Sequence, residues 1–165
     1  MGFTAVEGLM MSTRCGSLDP GLVLYLLQEK KLSYGQVENL LYKQSGLLGV
    51  SGISGDVNDL VDSEDVSANE ALDLFCLYAV RAIGCLSAEL QGLDALVFTA
   101  GIGENQPLIR EKICEQLAWL GVCIDEQANR GNVLKIHDSN KSNIEVLVIP
   151  TNEEEVIASH MRALL

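Results

Sequence analysis

A chain of 165 residues, 48% hydrophobic and 21% charged, carries enough apolar content for one domain with a core and too much for a disordered segment. Its formal net charge of −12 and pI near 4.4 argue against nonspecific binding to nucleic acid or to an anionic membrane surface, both of which need clustered Lys and Arg. Five cysteines, an odd number without a Cys-x-x-Cys pair, indicate neither a disulfide framework nor a zinc site.

No run is expected to approach the ~18 consecutive apolar residues of a membrane span. Met1 is followed by neither a basic region nor a long apolar one, and Val6 stands where a myristoylation signal wants Ser or Thr. The expected location is the cytoplasm.

Asp19-Pro20 supplies an N-cap and a proline for a first helix made apolar by Leu22, Leu24, Leu26 and Leu27. Ser33 and Gln36 form a capping box for a second, carrying Val37, Leu40 and Leu41 and stopping at Gly46, so the pair is expected to pack as a hairpin. Gly46 to Gly55 is Gly/Ser-rich and the stretch to Asp65 mostly polar. Too short to divide the chain, it reads as a functional loop. Ser67 and Glu70 form another capping box, and Leu72, Phe75, Ala79, Ala82, Ile83, Leu86 and Leu90 recur at helical spacing in what should be the longest helix and a core one.

Strand–helix alternation follows. Leu93 to Ala100 reads as a strand, and Leu108, Ile109, Ile113, Leu117 and Leu120 as one face of the helix after Pro107. Val122 to Ile124 and Val133 to Ile136 read as short strands around a helical turn at Glu126 to Asn129. Glu145 to Ile149 reads as a buried strand, and Thr151-Asn152 caps a last helix opened by Glu153, Glu154 and Glu155. The pattern predicts an α/β sheet in one domain over 1–165, with no second domain.

The segment Ala95 to Pro107 carries the chemistry. An apolar strand ends at Gly101-Ile102-Gly103 beside a helix start, which brings bare backbone to the sheet edge as nucleotide pockets require. An ordinary αβ turn fits the same residues, and a dinucleotide fingerprint would need glycine where Gln106 stands.

Gly8-Leu-Met-Met-Ser-Thr-Arg-Cys-Gly16 with Asp19-Pro20, Ser51-Gly-Ile-Ser-Gly-Asp56, Phe98-Thr-Ala-Gly-Ile-Gly-Glu-Asn105 and Ile149-Pro-Thr-Asn-Glu-Glu154 stand in the order and spacing of the acetate kinase family. The chain resembles the C-terminal portion of that family, whose members are more than twice as long. The resemblance implies the actin-like, ribonuclease-H-like fold shared with sugar kinases and heat-shock ATPases, incomplete on its N-terminal side, with an open sheet edge and an uncovered apolar face.

It further implies ATP binding by Gly101, Ile102, Gly103, Glu104 and Asn105, with a second nucleotide segment at Asp56, Val57 and Asn58. Arg14 falls at the arginine facing the transferred phosphoryl group, and Glu153 at the magnesium-associated glutamate. Each has a plainer reading beside it: Asp56 as a helix cap, Arg14 as a surface residue, Glu153 with Glu154 and Glu155 as first-turn acids favoured by the helix dipole. Departures from the family pattern are Asn58 where Arg is usual, Ala5 for Pro, Ser12 for Gly and Ser17 for an acidic residue. No role is assigned to His137 or His160.

The implied activity is transfer of the γ-phosphate of ATP to acetate with Mg²⁺, giving ADP and acetyl phosphate, and its reverse. The family's acetate-contacting arginine, catalytic aspartate and phosphate-loop residues have no counterparts in these residues, so the chain by itself is expected to be inactive. Dimerisation is a family property implied for this portion. A non-catalytic dimerisation or interaction fragment, and a related propionate or butyrate kinase fragment, are the other readings.

Overall fold

The computed structural model describes residues 2–163; the side chains of Glu153 and Ala163 lie outside that description. The chain divides at Glu89 and Leu90 into two compact units, each with its own elements.

In the first unit, helix α1 (Pro20–Gln28) starts where the Asp19 carboxylate accepts from the Gly21 amide at 2.7 Å, with Pro20 at the first position. Its leucines are not core: none of its residues is buried, and Leu22, Leu24 and Tyr25 are exposed. Helix α2 (Tyr34–Lys43) opens with the predicted capping box and packs beside α1. It ends at Lys43 rather than at Gly46, which instead begins α3 (Gly46–Ser51).

Most of the expected functional loop is therefore helix. Propensity could not show this, because α3 is nucleated by contacts remote in sequence: the Leu47 and Leu48 amides donate to the carbonyls of Met11 and Ser12, both at 2.9 Å, and Leu47 is fully buried. A further short helix, α4 (Val57–Val61), buries Val57 and Leu60. Helix α5 (Val66–Leu90) is the longest, as predicted, but its cap is Asp65, which accepts from the Ser67 amide at 2.9 Å. The Ser67 hydroxyl donates instead to the Ser51 carbonyl at 2.8 Å, tying α5 to α3. Ala68, Ala71, Leu72, Cys76 and Ala79 of α5 are buried, whereas Leu77, Leu86 and Leu90 are exposed. By length and composition alone this helix could cross a membrane, with a mean hydropathy of 1.6 over its most apolar stretch. The expectation that nothing approaches a span looked for an unbroken apolar run, and isolated polar residues such as Asp73 and Arg81 hid this one.

In the second unit, β1 (Ala95–Phe98) and β2 (Glu145–Val148) pair in parallel, Ala95 opposite Glu145 and Phe98 opposite Val148. A parallel pair needs a long crossover. Here it consists of α6 (Ala100–Asn105), α7 (Pro107–Gln116), a 3-10 turn at Ala118–Leu120 and α8 (Glu126–Arg130). The core gathers Phe98, Ile109, Ile113, Leu117, Ile136 and Val146. The expected strands at Val122 to Ile124 and Val133 to Ile136 are reduced to isolated antiparallel bridges, Ile124 with His137 and Lys135 with Leu147. Among the described residues the sheet has two strands, and Val97 of β1 is 46% exposed. Helix α9 (Glu153–Ala163) is capped as predicted, Asn152 Oδ1 accepting from the Glu155 amide at 3.0 Å.

Candidate functional site

The candidate residues fall in both units. In the first, Arg14 lies on a tight loop pinned from several sides. The Met11 amide donates to the Arg14 carbonyl at 3.1 Å, Cys15 N–H to the Leu41 carbonyl at 3.0 Å, and the Thr13 hydroxyl to the Tyr42 carbonyl at 2.9 Å. Glycines make the approach possible: a Cβ on Gly46, at φ 65°, would overlap the Met11 carbonyl oxygen, and one on Gly55 would sit 2.8 Å from that of Ser12. The loop thus presses against the segment that leads into Asp56. Arg14 Nη1 contacts only the Ala5 carbonyl at 3.5 Å and Met11 Sδ at 3.8 Å, so among the described residues its guanidinium pairs with no carboxylate.

Asp56 is occupied as the cap of α4. One carboxylate oxygen accepts from the Asn58 amide at 2.8 Å and from Asn58 Nδ2 at 3.0 Å, while Val57 is core. The plainer reading of Asp56 thus describes its observed bonds.

In the second unit the Gly-Ile-Gly sequence is a helix, α6, rather than the expected turn. The positive φ needed to leave β1 falls on Ala100, at 59°, and not on a glycine. Gly103 is the point of close approach: a Cβ there would lie 3.2 Å from the Phe98 carbonyl carbon, whereas one on Gly101 meets nothing within 4 Å. Asn105 Nδ2 donates to the Gly101 carbonyl at 2.9 Å, so this amide braces α6 itself.

Glu104 turns to a segment 47 residues away, where its Oε1 accepts from the Thr151 amide at 2.9 Å and the Thr151 hydroxyl at 3.0 Å. The Thr151 backbone amide is the main cause that holds its carboxyl below the usual range. Through this link α6 meets the chain just before Glu153, whose backbone opens α9 and whose side chain lies outside the described residues. Beside the link is a cavity of about 300 Å³ lined by Glu104, Asn105, Asn132, Leu134, Val148 and Pro150.

Sequence reasoning missed Arg110. It follows Ile109 on the buried face of α7, and nothing in the spacing marks it. Its guanidinium is fully buried, and burial lowers its pKa. Nη1 donates to the carbonyls of Gly103 at 2.8 Å and Glu104 at 2.9 Å, closing the C-terminal end of α6. Nε meets Asn129 Oδ1 at 2.7 Å, and Nη2 meets the Asn129 carbonyl at 2.7 Å and Asn132 Oδ1 at 2.5 Å. A buried cation with no carboxylate partner among the described residues is sustained by five oxygen acceptors, two of them at a helix C-terminus where positive charge is favoured.

No group of three or more His, Cys, Asp or Glu able to hold a metal occurs among the described residues. These residues do not by themselves make a magnesium site; a single carboxylate would need waters and phosphate oxygens to complete the shell.

The class is set by likeness of fold: a mixed α/β build that matches part of the acetokinase domain. The structure matches acetate kinase from Porphyromonas gingivalis with a TM-score of 0.89 and 37% identity, covering all of this chain and 43% of that one. It matches a propionate kinase from Francisella tularensis subsp. tularensis SCHU S4 with a TM-score of 0.89 and 38% identity, over 96% of this chain and 41% of that one.

Residues 1–159 match the acetokinase family profile, and the chain belongs to that family. An acetate kinase of Rhodopseudomonas palustris (strain TIE-1) is 52% identical over 162 residues, 98% of this chain and 41% of the relative. The chain therefore spans about two fifths of the length of the relatives it matches.

Proposed function

We infer that the chain supplies nucleotide-handling residues to a phosphotransferase that moves the γ-phosphate of ATP to acetate, in the reversible reaction ATP + acetate = ADP + acetyl phosphate. The observation that carries this reading is the pairing of α6, with its close-packed Gly103, and the cavity beside Glu104 and Asn105. Backbone admitted by glycine and a largely preformed cavity suit an adenosine better than a charged polymer.

Gly101 to Asn105 contact the nucleoside in this reading, and Asp56, Val57 and Asn58 form a second nucleotide segment. Asn58 cannot supply the planar cation that Arg would. Arg14, unpaired with any described carboxylate, stabilises negative charge on the phosphoryl group in flight, where a guanidinium can hold two equatorial oxygens. Glu153 would give one carboxylate to a magnesium ion, which screens phosphate charge when bound. The chain works in the cytoplasm with its cysteines reduced, and no disulfide joins them among the described residues. In this reading these residues acting alone make no acetyl phosphate.

Titration calorimetry with MgADP tests the site. Gly101→Val should abolish binding without unfolding the chain, because a Cβ there would meet nothing within 4 Å beyond its own stretch of helix. Equal binding by both forms refutes the assignment. The acceptor is left between acetate and propionate by the similarity to a propionate kinase at 38% identity. The second reading, a self-associating fragment, is favoured by the bare apolar residues of α1 and α5.

A further inference from the structure

A guanidinium donates hydrogen bonds and accepts none, so any amide side chain against it must present oxygen. Arg110 imposes this on two asparagines. Asn129 gives Oδ1 to Nε and spends Nδ2 on the Pro107 carbonyl at 2.9 Å, which satisfies the amide. Asn132 gives Oδ1 to Nη2 at 2.5 Å, and among the described residues its Nδ2 has no partner. Unlike Asn129, which is buried, Asn132 is exposed and lines the cavity with Glu104 and Asn105. Its φ of 48° is a left-handed conformation that asparagine tolerates better than most residues.

We propose that Asn132 is a ligand-binding residue of this cavity, its Nδ2 donating to a hydrogen-bond acceptor of the bound nucleoside, a purine ring nitrogen or a ribose oxygen, with Arg110 as the positioning residue that fixes the amide's orientation. The assignment rests on the reading that the cavity takes a nucleotide. Its other polar liners already make bonds within the protein: Glu104 Oε1 accepts from Thr151, and Asn105 Nδ2 gives one hydrogen to the Gly101 carbonyl. Asn132 is the liner whose Nδ2 makes no bond among the described residues and whose orientation a buried group dictates. With its oxygen turned to Arg110, the amide presents Nδ2 as a donor to an acceptor on the ligand.

The test is titration of the full chain with adenosine and with MgADP, for the wild type, Asn132→Asp and Asn132→Gly, with circular dichroism as the folding control. Asn132→Asp keeps an oxygen for Arg110 but replaces the donor with an acceptor, and both substitutes tolerate the positive φ. Adenosine, being uncharged, removes phosphate repulsion from the comparison. The expected result is adenosine binding weakened about tenfold or more by Asn132→Asp and by Asn132→Gly in folded protein. Adenine as a third probe separates the sources: weakening with adenine too places the acceptor on the ring, and weakening with adenosine alone places it on the ribose. Wild-type affinity for adenosine in both variants overturns the role of Asn132 while leaving the cavity assignment standing, and so does a loss confined to MgADP with Asn132→Asp, which is charge repulsion. Absence of adenosine and MgADP binding in the wild type overturns the cavity reading, and the inference falls with it. Should Asn132→Asp fail to fold, Asn132→Gly carries the same decision.

Discussion

Arg110 Nη1 reaches the Gly103 carbonyl at 2.8 Å from the next helix, so the residue that admits close backbone packing is also the one whose carbonyl is held by a buried cation. Removing the cation strands several buried acceptors at once. Arg110→Met is expected to destabilise the second unit by on the order of 3–5 kcal/mol, and Arg110→Lys by less, since an ammonium keeps the charge and some of the bonds although it cannot span all five acceptors. Urea unfolding followed by circular dichroism measures both; a loss below about 1 kcal/mol for Arg110→Met would refute the clamp.

The two glycines of α6 should respond differently to alanine. Gly103→Ala forces a Cβ to 3.2 Å from the Phe98 backbone, an overpacking that costs about 1–3 kcal/mol. Gly101→Ala meets open space and is expected to be neutral or slightly stabilising. Thermal melts of the two variants give the comparison, and equal melting temperatures would show that the close approach is not felt.

Glu104 sets an acid dependence. Its folded pKa is depressed below the unfolded value, chiefly by the Thr151 amide, so its contribution is present above the ordinary carboxylate range and is lost as pH falls through the depressed value. The Thr151 amide resonance should therefore shift at acid pH in the wild type and stay flat in Glu104→Gln. A titration at Thr151 that survives the substitution would assign it to another acid.

Cys114 sets an alkaline one. Burial pushes its thiol up from 9.0 to about 12, so the neutral thiol favours the folded state, and that contribution is lost as pH rises from the lower value through the higher. Under mild alkylation the exposed Cys85 should react while Cys114 stays protected until the chain unfolds. Mass mapping of the alkylated peptides reads this directly; early labelling of Cys114 contradicts the burial.

Exposed Val97 on a sheet that has two strands among the described residues, with Leu77, Leu86 and Leu90 bare on α5, predicts self-association. The charge of −12 opposes clumping at low salt, so a defined dimer is expected there and larger aggregates at high salt. Light scattering behind a sizing column decides it: one peak at 17.8 kDa under both conditions shows a monomer.

What could be read from the sequence was local chemistry. Asp19, Ser33 and Asn152 cap helices because their oxygens reach amides two or three residues ahead, a relation written in adjacent letters. The strands leading to Phe98 and Val148 and the long apolar periodicity of α5 follow from the same short-range patterning. The four motifs also carried the family, since their order and spacing are properties of the chain itself. Tertiary structure alone decided the rest. Gly46 starts a helix because carbonyls some 35 residues earlier accept its first amides, and Ser67 leaves its expected cap for the Ser51 carbonyl. The backbone strain expected of a glycine falls on Ala100. Arg110, an unremarked charge after Ile109 in sequence, becomes a buried anchor behind the cavity because five acceptors from α6, Asn129 and Asn132 converge on it. Burying a cation is costly until every donor finds an oxygen, and only the folded chain brings those oxygens together.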